Sequence, residues 1–167
     1  SGGKALGGWS GTLAPGAAAT AKVPLSSAAR KQLGAKGKLA AEAVLNVAGG
    51  KGSTTAIALL APPAPKLKLK SAKRAGNAIV FKLTCQGYAA KCQGKLALSA
   101  AKGGAKVAAG KVSLAKGTHE VRVPLTGAGK RLLDDEPRAQ LKAEVSAKDP
   151  VYQRTTVAKS RLRLGGK

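Results

Sequence analysis

Aromatic side chains are almost missing from this sequence: Trp9, Phe81, Tyr88 and Tyr152 are the whole complement among 167 residues. Acids are equally sparse, seven against 30 Lys and Arg, and His119 is the only histidine. No run of about 18 or more apolar residues occurs, so no membrane-spanning helix is encoded. No signal peptide of basic, apolar and small-residue regions opens the chain, and Ser1-Gly2-Gly3 reads as a processed or engineered start. Each shortage removes a class of function. A core with so few rings must be thin and built from Ala, Val and Leu. Basic strands without rings offer no stacking platform, which argues against nucleic acid as a partner. One histidine and a few scattered acids supply no catalytic constellation and no metal-ligand set, so the sequence points away from an enzyme and requires no cofactor.

What is abundant is positive charge. The formal net charge of +23 favours anionic partners and makes self-association through like surfaces costly unless counter-charge is supplied. It is unevenly spread: residues 1–60 carry seven cations and one acid, whereas residues 66–167 carry 23 and six.

The chain contains an internal repeat. Thr12-Leu13-Ala14-Pro15-Gly16 and Ala21-Lys22-Val23-Pro24-Leu25, followed by a segment ending at Leu33, return about 100 residues later. The second copy runs Ser113-Leu114-Ala115-Lys116-Gly117, then Val121-Arg122-Val123-Pro124-Leu125 and a segment ending Leu132-Leu133. Leu39-Ala40-Ala41-Glu42 matches Leu141-Lys142-Ala143-Glu144, and Thr54-Thr55 matches Thr155-Thr156. Within each copy, apolar residues alternate with polar ones at the two-residue period of a half-buried strand, as at Val121, Val123 and Leu125 or at Leu141, Ala143, Val145 and Ala147. Between these strands Ser26 and Thr126 each stand where a helix of one or two turns would be capped.

The second copy has further strands in front of it: Leu67 and Leu69 among lysines, Ala78 to Thr84, Lys95 to Ser99, and Val107 to Leu114. Together these predict seven strands between Lys66 and Leu164, enough for an antiparallel β-sandwich, which needs about 100 residues. The first copy supplies only four, at 5–13, 18–25, 39–48 and 54–60, with edges open to another chain. Pro62, Pro63 and Pro65 lie in a stiff, extended linker, 61–65, between an incomplete unit at 1–60 and a complete one at 66–167. The fold class is therefore all-β.

Cys85 and Cys92 lack the further soft ligands a metal would need, and read as a disulfide closing a small loop, with two free thiols as the alternative. The cysteine pair, the Cys92-Gln93-Gly94-Lys95-Leu96-Ala97-Leu98 segment, the Gly117 turn, Val121-Arg122-Val123-Pro124-Leu125 and the basic helix ending Leu132-Leu133 resemble an immunoglobulin-like, or bacterial immunoglobulin-like, module recurrent in secreted and cell-surface proteins of Gram-positive actinobacteria. The resemblance covers 66–164 well and 6–60 in part. It implies an immunoglobulin-like sandwich, a Cys85–Cys92 disulfide, an extracellular location, a spacer or adhesive role and no catalytic residues. The chain departs from the pattern at Asp134-Asp135-Glu136-Pro137, where a basic or Gly-rich turn is usual.

Few positions invite a functional reading. His119 is expected at the rim of a strand. Asp134, Asp135 and Glu136 lack the spacing and glycine of a Ca²⁺ loop and read as a solvated turn, or as a patch complementary to lysines. Trp9 is a candidate interface residue that fills a core or contact, with a sugar-stacking platform as the alternative. Lys66, Lys68 and Lys70 share one face of the first complete strand and Lys159, Arg161 and Arg163 one face of the last. If those strands are neighbours, the six form one ridge that guards an edge or binds an anionic cell-wall polymer or glycan. These readings converge on a structural subunit of an extracellular assembly or filament, a homo-oligomer joined by strand addition to the incomplete unit. The alternatives are a C-terminal spacer or adhesion part of a larger surface protein, and a basic module for anionic polymers.

Overall fold

The structure is a computed structural model. It describes residues 4–14 and 16–164; the expected processed start, Ser1-Gly2-Gly3, lies outside the described residues, as do 15 and 165–167. The chain divides into two compact units, Ser1–Ala61 with Pro150–Arg154, and Pro62–Asp149 with Thr155–Lys167.

The second unit is all-β apart from one short helix. Its strands are β3 (Lys66–Ala75), β4 (Ala78–Gln86), β5 (Lys91–Ala100), β6 (Lys106–Ala115), β7 (Gly117–Pro124), β8 (Gln140–Asp149) and β9 (Arg154–Arg163), with helix α2 at Gly127–Asp135 between β7 and β8. They form a three-stranded sheet ordered β3-β4-β7 and a four-stranded sheet ordered β6-β5-β8-β9. The alternation that predicts these strands also assigns their faces. Ile79, Phe81, Leu83 and Cys85 of β4, Leu96 and Leu98 of β5, and Leu141, Ala143, Val145 and Ala147 of β8 are all buried in one core cluster spanning both sheets. Intervening Lys82, Lys95, Lys142 and Lys148 are exposed. Phe81 is the only large ring in this cluster, so small aliphatic groups do most of the filling. Pro124, which cannot donate to a ladder, is tolerated because it ends β7, an edge strand.

Two irregularities matter. A register shift between Leu69 and Ser71 removes Lys70 from the ladder with β4. Residues 62–65 are not a free spacer: the Pro63 carbonyl accepts from the Tyr88 N–H at 3.4 Å, the Pro65 carbonyl accepts from the Thr156 hydroxyl at 2.7 Å, and Pro65 is fully buried.

The first unit contains helix α1 (Ser27–Lys36) and a hairpin of β1 (Lys38–Leu45) and β2 (Ser53–Leu60). Ser26 caps α1 by accepting the Ala29 N–H at 3.2 Å, and Gly37 ends it at φ 75°, the left-handed conformation that favours glycine. The helix runs for ten residues, longer than the one or two turns expected. Strands expected at 5–13 and 18–25 do not form among the described residues, where an isolated bridge joins Gly7 to Leu25.

Candidate functional site

The repeat read from sequence is also a repeat of hydrogen bonds. In the first unit Gly7 bridges Leu25 and the Ser26 N–H donates to the Leu6 carbonyl at 2.7 Å; in the second, Ala108 bridges Leu125 and the Thr126 N–H donates to the Val107 carbonyl at 2.9 Å. Thr126 caps α2 through the Gly129 N–H at 2.9 Å, as Ser26 caps α1. Thus 5–13 corresponds to β6, 18–25 to β7, α1 to α2, β1 to β8 and β2 to β9.

This correspondence explains why two expected strands are missing. In the second unit β6 pairs with β5 and β7 pairs with β4. The described residues of the first unit contain no counterpart of β3, β4 or β5. Segments 5–13 and 18–25 therefore have no ladder to join, and their amides stay out of strand structure. The hairpin survives because β1 keeps its β2 partner, with Leu39 opposite Leu59 and Ala41 opposite Ile57. The other edge of β1, where β8 receives β5 through Leu96 opposite Val145 and Leu98 opposite Ala143, has no partner strand among the described residues.

The consequence is an uncovered apolar face. Leu141, Ala143, Val145 and Ala147 of β8 are at most 1% exposed, whereas Leu45 of β1 and Ile57 of β2, on the corresponding face, are 58% and 39% exposed. Only Ala29 and Leu33 are buried apolar residues in the first 60 positions described. Arg30 Nε is buried with no hydrogen-bond partner among the described residues. Trp9 stands half exposed with its ring folded over Gly11, so it does not fill a core; it occupies the position that Gly110 holds in β6.

In the second unit, Cys85 and Cys92 form a disulfide with Cα atoms 5.7 Å apart, joining the end of β4 in one sheet to the start of β5 in the other. His119 pairs with Leu83 at the start of β7, and its Nε2 lies 3.0 Å from the Ala115 carbonyl. Asp134 accepts from Arg74 at 2.5 Å, while a second Arg74 nitrogen donates to the Leu133 carbonyl at 2.9 Å. Arg74 thereby brings positive charge to the helix C-terminus and compensates for acids placed there.

The six cations read as one ridge are split between faces. Lys66, Lys68 and Lys70 belong to β3 on the three-stranded sheet; Lys159, Arg161 and Arg163 project outward from β9 on the four-stranded one. First and last strands lie in different sheets, so their outward side chains leave the sandwich in opposite directions. The β9 trio instead shares its face with Lys95, Lys111, Lys142 and Lys148, which sequence reasoning did not single out. Glu144, 3.6 Å from Lys159, is the acid among them. The missed signal was the regular placement of lysine next to buried Leu or Val along β5, β6 and β8.

No protein-family model matches this chain, and neither does any curated protein.

Proposed function

We propose that this chain is a structural subunit of an extracellular or cell-surface assembly, in which the N-terminal unit is completed by strand addition along β1. The observation that carries this reading is internal to the molecule: one sequence pattern folds into a closed core where counterparts of β3–β5 are present, and leaves an open β1 edge and an uncovered apolar face where they are not. A donor strand alternating Leu with small residues, as β5 does, would restore main-chain pairing along β1, and counterparts of β3 and β4 in a facing sheet would cover Leu45 and Ile57. It would also give 5–13 a ladder and turn Trp9 and Leu13 towards the new interior. The seven strands of the second unit and their bridging cysteines support an immunoglobulin-like module. The disulfide is compatible with an oxidising exterior, and no helix among the described residues is long and apolar enough to cross a membrane. If each chain both gives and receives strands head to tail, the product is a filament unless its rotation closes a ring.

A second reading has its own support. In the second unit β3, β4 and β5 immediately precede β6 in the chain, so the missing strands of the first unit would arrive in cis in a longer spacer protein. Sedimentation over a range of concentration, in enough salt to screen the charge, separates the two. Concentration-dependent linear oligomers that dissociate when Leu45 and Ile57 are replaced by Lys support trans completion. A monomer that binds a peptide copy of β4–β5 supports completion in cis. A monomer that ignores the peptide would falsify strand completion altogether.

A further inference from the structure

We infer that the outer face of the four-stranded sheet is a binding surface for a linear phosphodiester polymer without bases, of the poly(glycerol phosphate) kind. The inference is independent of how the first unit is completed, because every residue it uses belongs to the second.

Three observations carry it. Lys159, Arg161 and Arg163 stand on alternate residues of β9, so their attachment points recur at about 6.6 Å along an edge strand. That interval is within reach of successive phosphates on three-carbon repeats. Beside them runs a groove of about 550 Å³ lined by Ala97, Ser99, Lys142, Lys159 and Arg161, with Glu144, the Lys159 partner at 3.6 Å, as its one acid among the described residues. A second groove of about 280 Å³ takes in Arg161 and Arg163 with Gln140. Arg161 lines both, so the path continues along β9 rather than ending in a closed pocket. This suits a chain-like ligand.

The third observation is an electrostatic cost that a ligand would relieve. Lys95 of β5 and Lys111 of β6 stand directly opposite one another on the outer face. Like charges in that position destabilise a sheet, and a bound polyanion reverses the sign of the interaction. The chemistry of the anion follows from what lines the path. Its lining includes small side chains and, among the described residues, no aromatic ring on which a base or pyranose could stack. Its cations are Lys142 and Lys159, which hold phosphate as point charges, and Arg161 and Arg163, whose planar guanidinium matches phosphate oxygens in pairs.

The test is titration of the full chain with a synthetic glycerol-phosphate oligomer, alongside a sulfated glycan and single-stranded DNA of equal charge number. Two triple variants compare faces at equal net charge: Lys159→Gln, Arg161→Gln and Arg163→Gln against Lys66→Gln, Lys68→Gln and Lys70→Gln, with folding of both verified by circular dichroism. The β9 triple should weaken binding about tenfold or more and flatten its salt dependence, and the β3 triple should change it by less than about threefold. Equal losses from both triples would show attraction by net charge alone and overturn the site. Failure of the wild-type chain to bind the oligomer overturns it too. Equal or tighter binding of the glycan or the DNA overturns the assignment to a phosphodiester polyol.

Discussion

Replacing both cysteines by alanine tests how much of the second unit's stability rests on its covalent link between sheets. The bridge joins residues seven positions apart, a short loop, so it restrains the unfolded chain only modestly. Loop-closure entropy for a ring of that size amounts to about 2.5 kcal/mol at 25 °C, against nearly twice that for a loop spanning a whole domain. Both cysteines are buried in the core cluster, and their truncation adds a packing loss of up to about 1 kcal/mol. The entropic contribution therefore dominates. For a unit of this size 2.5–3.5 kcal/mol corresponds to a fall in Tm of roughly 10–25 °C.

Differential scanning calorimetry of Cys85→Ala/Cys92→Ala beside the oxidised wild type measures that fall. Guanidinium titration supplies a second readout: the unfolded state loses its internal restraint, exposes more surface, and the m value rises. A Tm loss below about 4 °C with an unchanged m value would refute the reasoning. It would mean that the β4–β5 turn is held equally close without the bridge. The expected result bears on location as well, since a unit that depends on this bond is poorly suited to a reducing compartment.

The thin core makes its one phenylalanine disproportionately important. Phe81→Ala should cost about 3–5 kcal/mol, read by urea denaturation, because the surrounding Leu and Val side chains cannot fill the space; a loss under about 1.5 kcal/mol would show that they collapse into it. The two helix caps should differ although they occupy equivalent positions. Thr126 accepts the Gly129 N–H and also donates to the Lys106 carbonyl at 2.5 Å, whereas Ser26 accepts the Ala29 N–H. Thr126→Ala is expected to lower stability by about 1–2 kcal/mol in thermal melts, and Thr126→Ser to recover most of it. Equal losses for both variants would show that the hydroxyl is not what matters.

Much of the second unit was legible because its strands announce themselves locally. Leu67 and Leu69 among lysines, or Leu141, Ala143, Val145 and Ala147 with polar residues between, state both the element and its buried face. What was not legible depends on register between distant segments. Lys95, Lys111 and Lys142 come together only because β5 lies between β6 and β8, and no local pattern states that order. The pairing of Arg74 with Asp134 joins residues 60 apart, and the bulge at Lys70 breaks an alternation that looks regular in sequence. The single ridge of six cations does not form for the same reason: its condition is that first and last strands are neighbours, and the fold puts the two in different sheets.

The first unit shows the converse error. Segments 5–13 and 18–25 carry the same pattern as β6 and β7, yet only their second copies are strands. Local alternation specifies which face a strand would bury if it formed, while the hydrogen bonds that make it a strand must come from a partner. The helix and the hairpin need no such outside partner, since α1 satisfies its own amides and β1 finds β2 across a short turn, and both persist. The two copies thus act as an internal control in which the pattern is held nearly constant and the partner strands are varied. The features lost in the first copy are those that depend on β3, β4 or β5: two strands, one paired sheet edge and a covered apolar face. The first copy retains the pattern for a closed sandwich while Trp9, Leu13, Leu45 and Ile57 stay exposed, with no counterpart of β3, β4 or β5 among its described residues. The strand addition proposed above accounts for the missing elements and the exposed ones together.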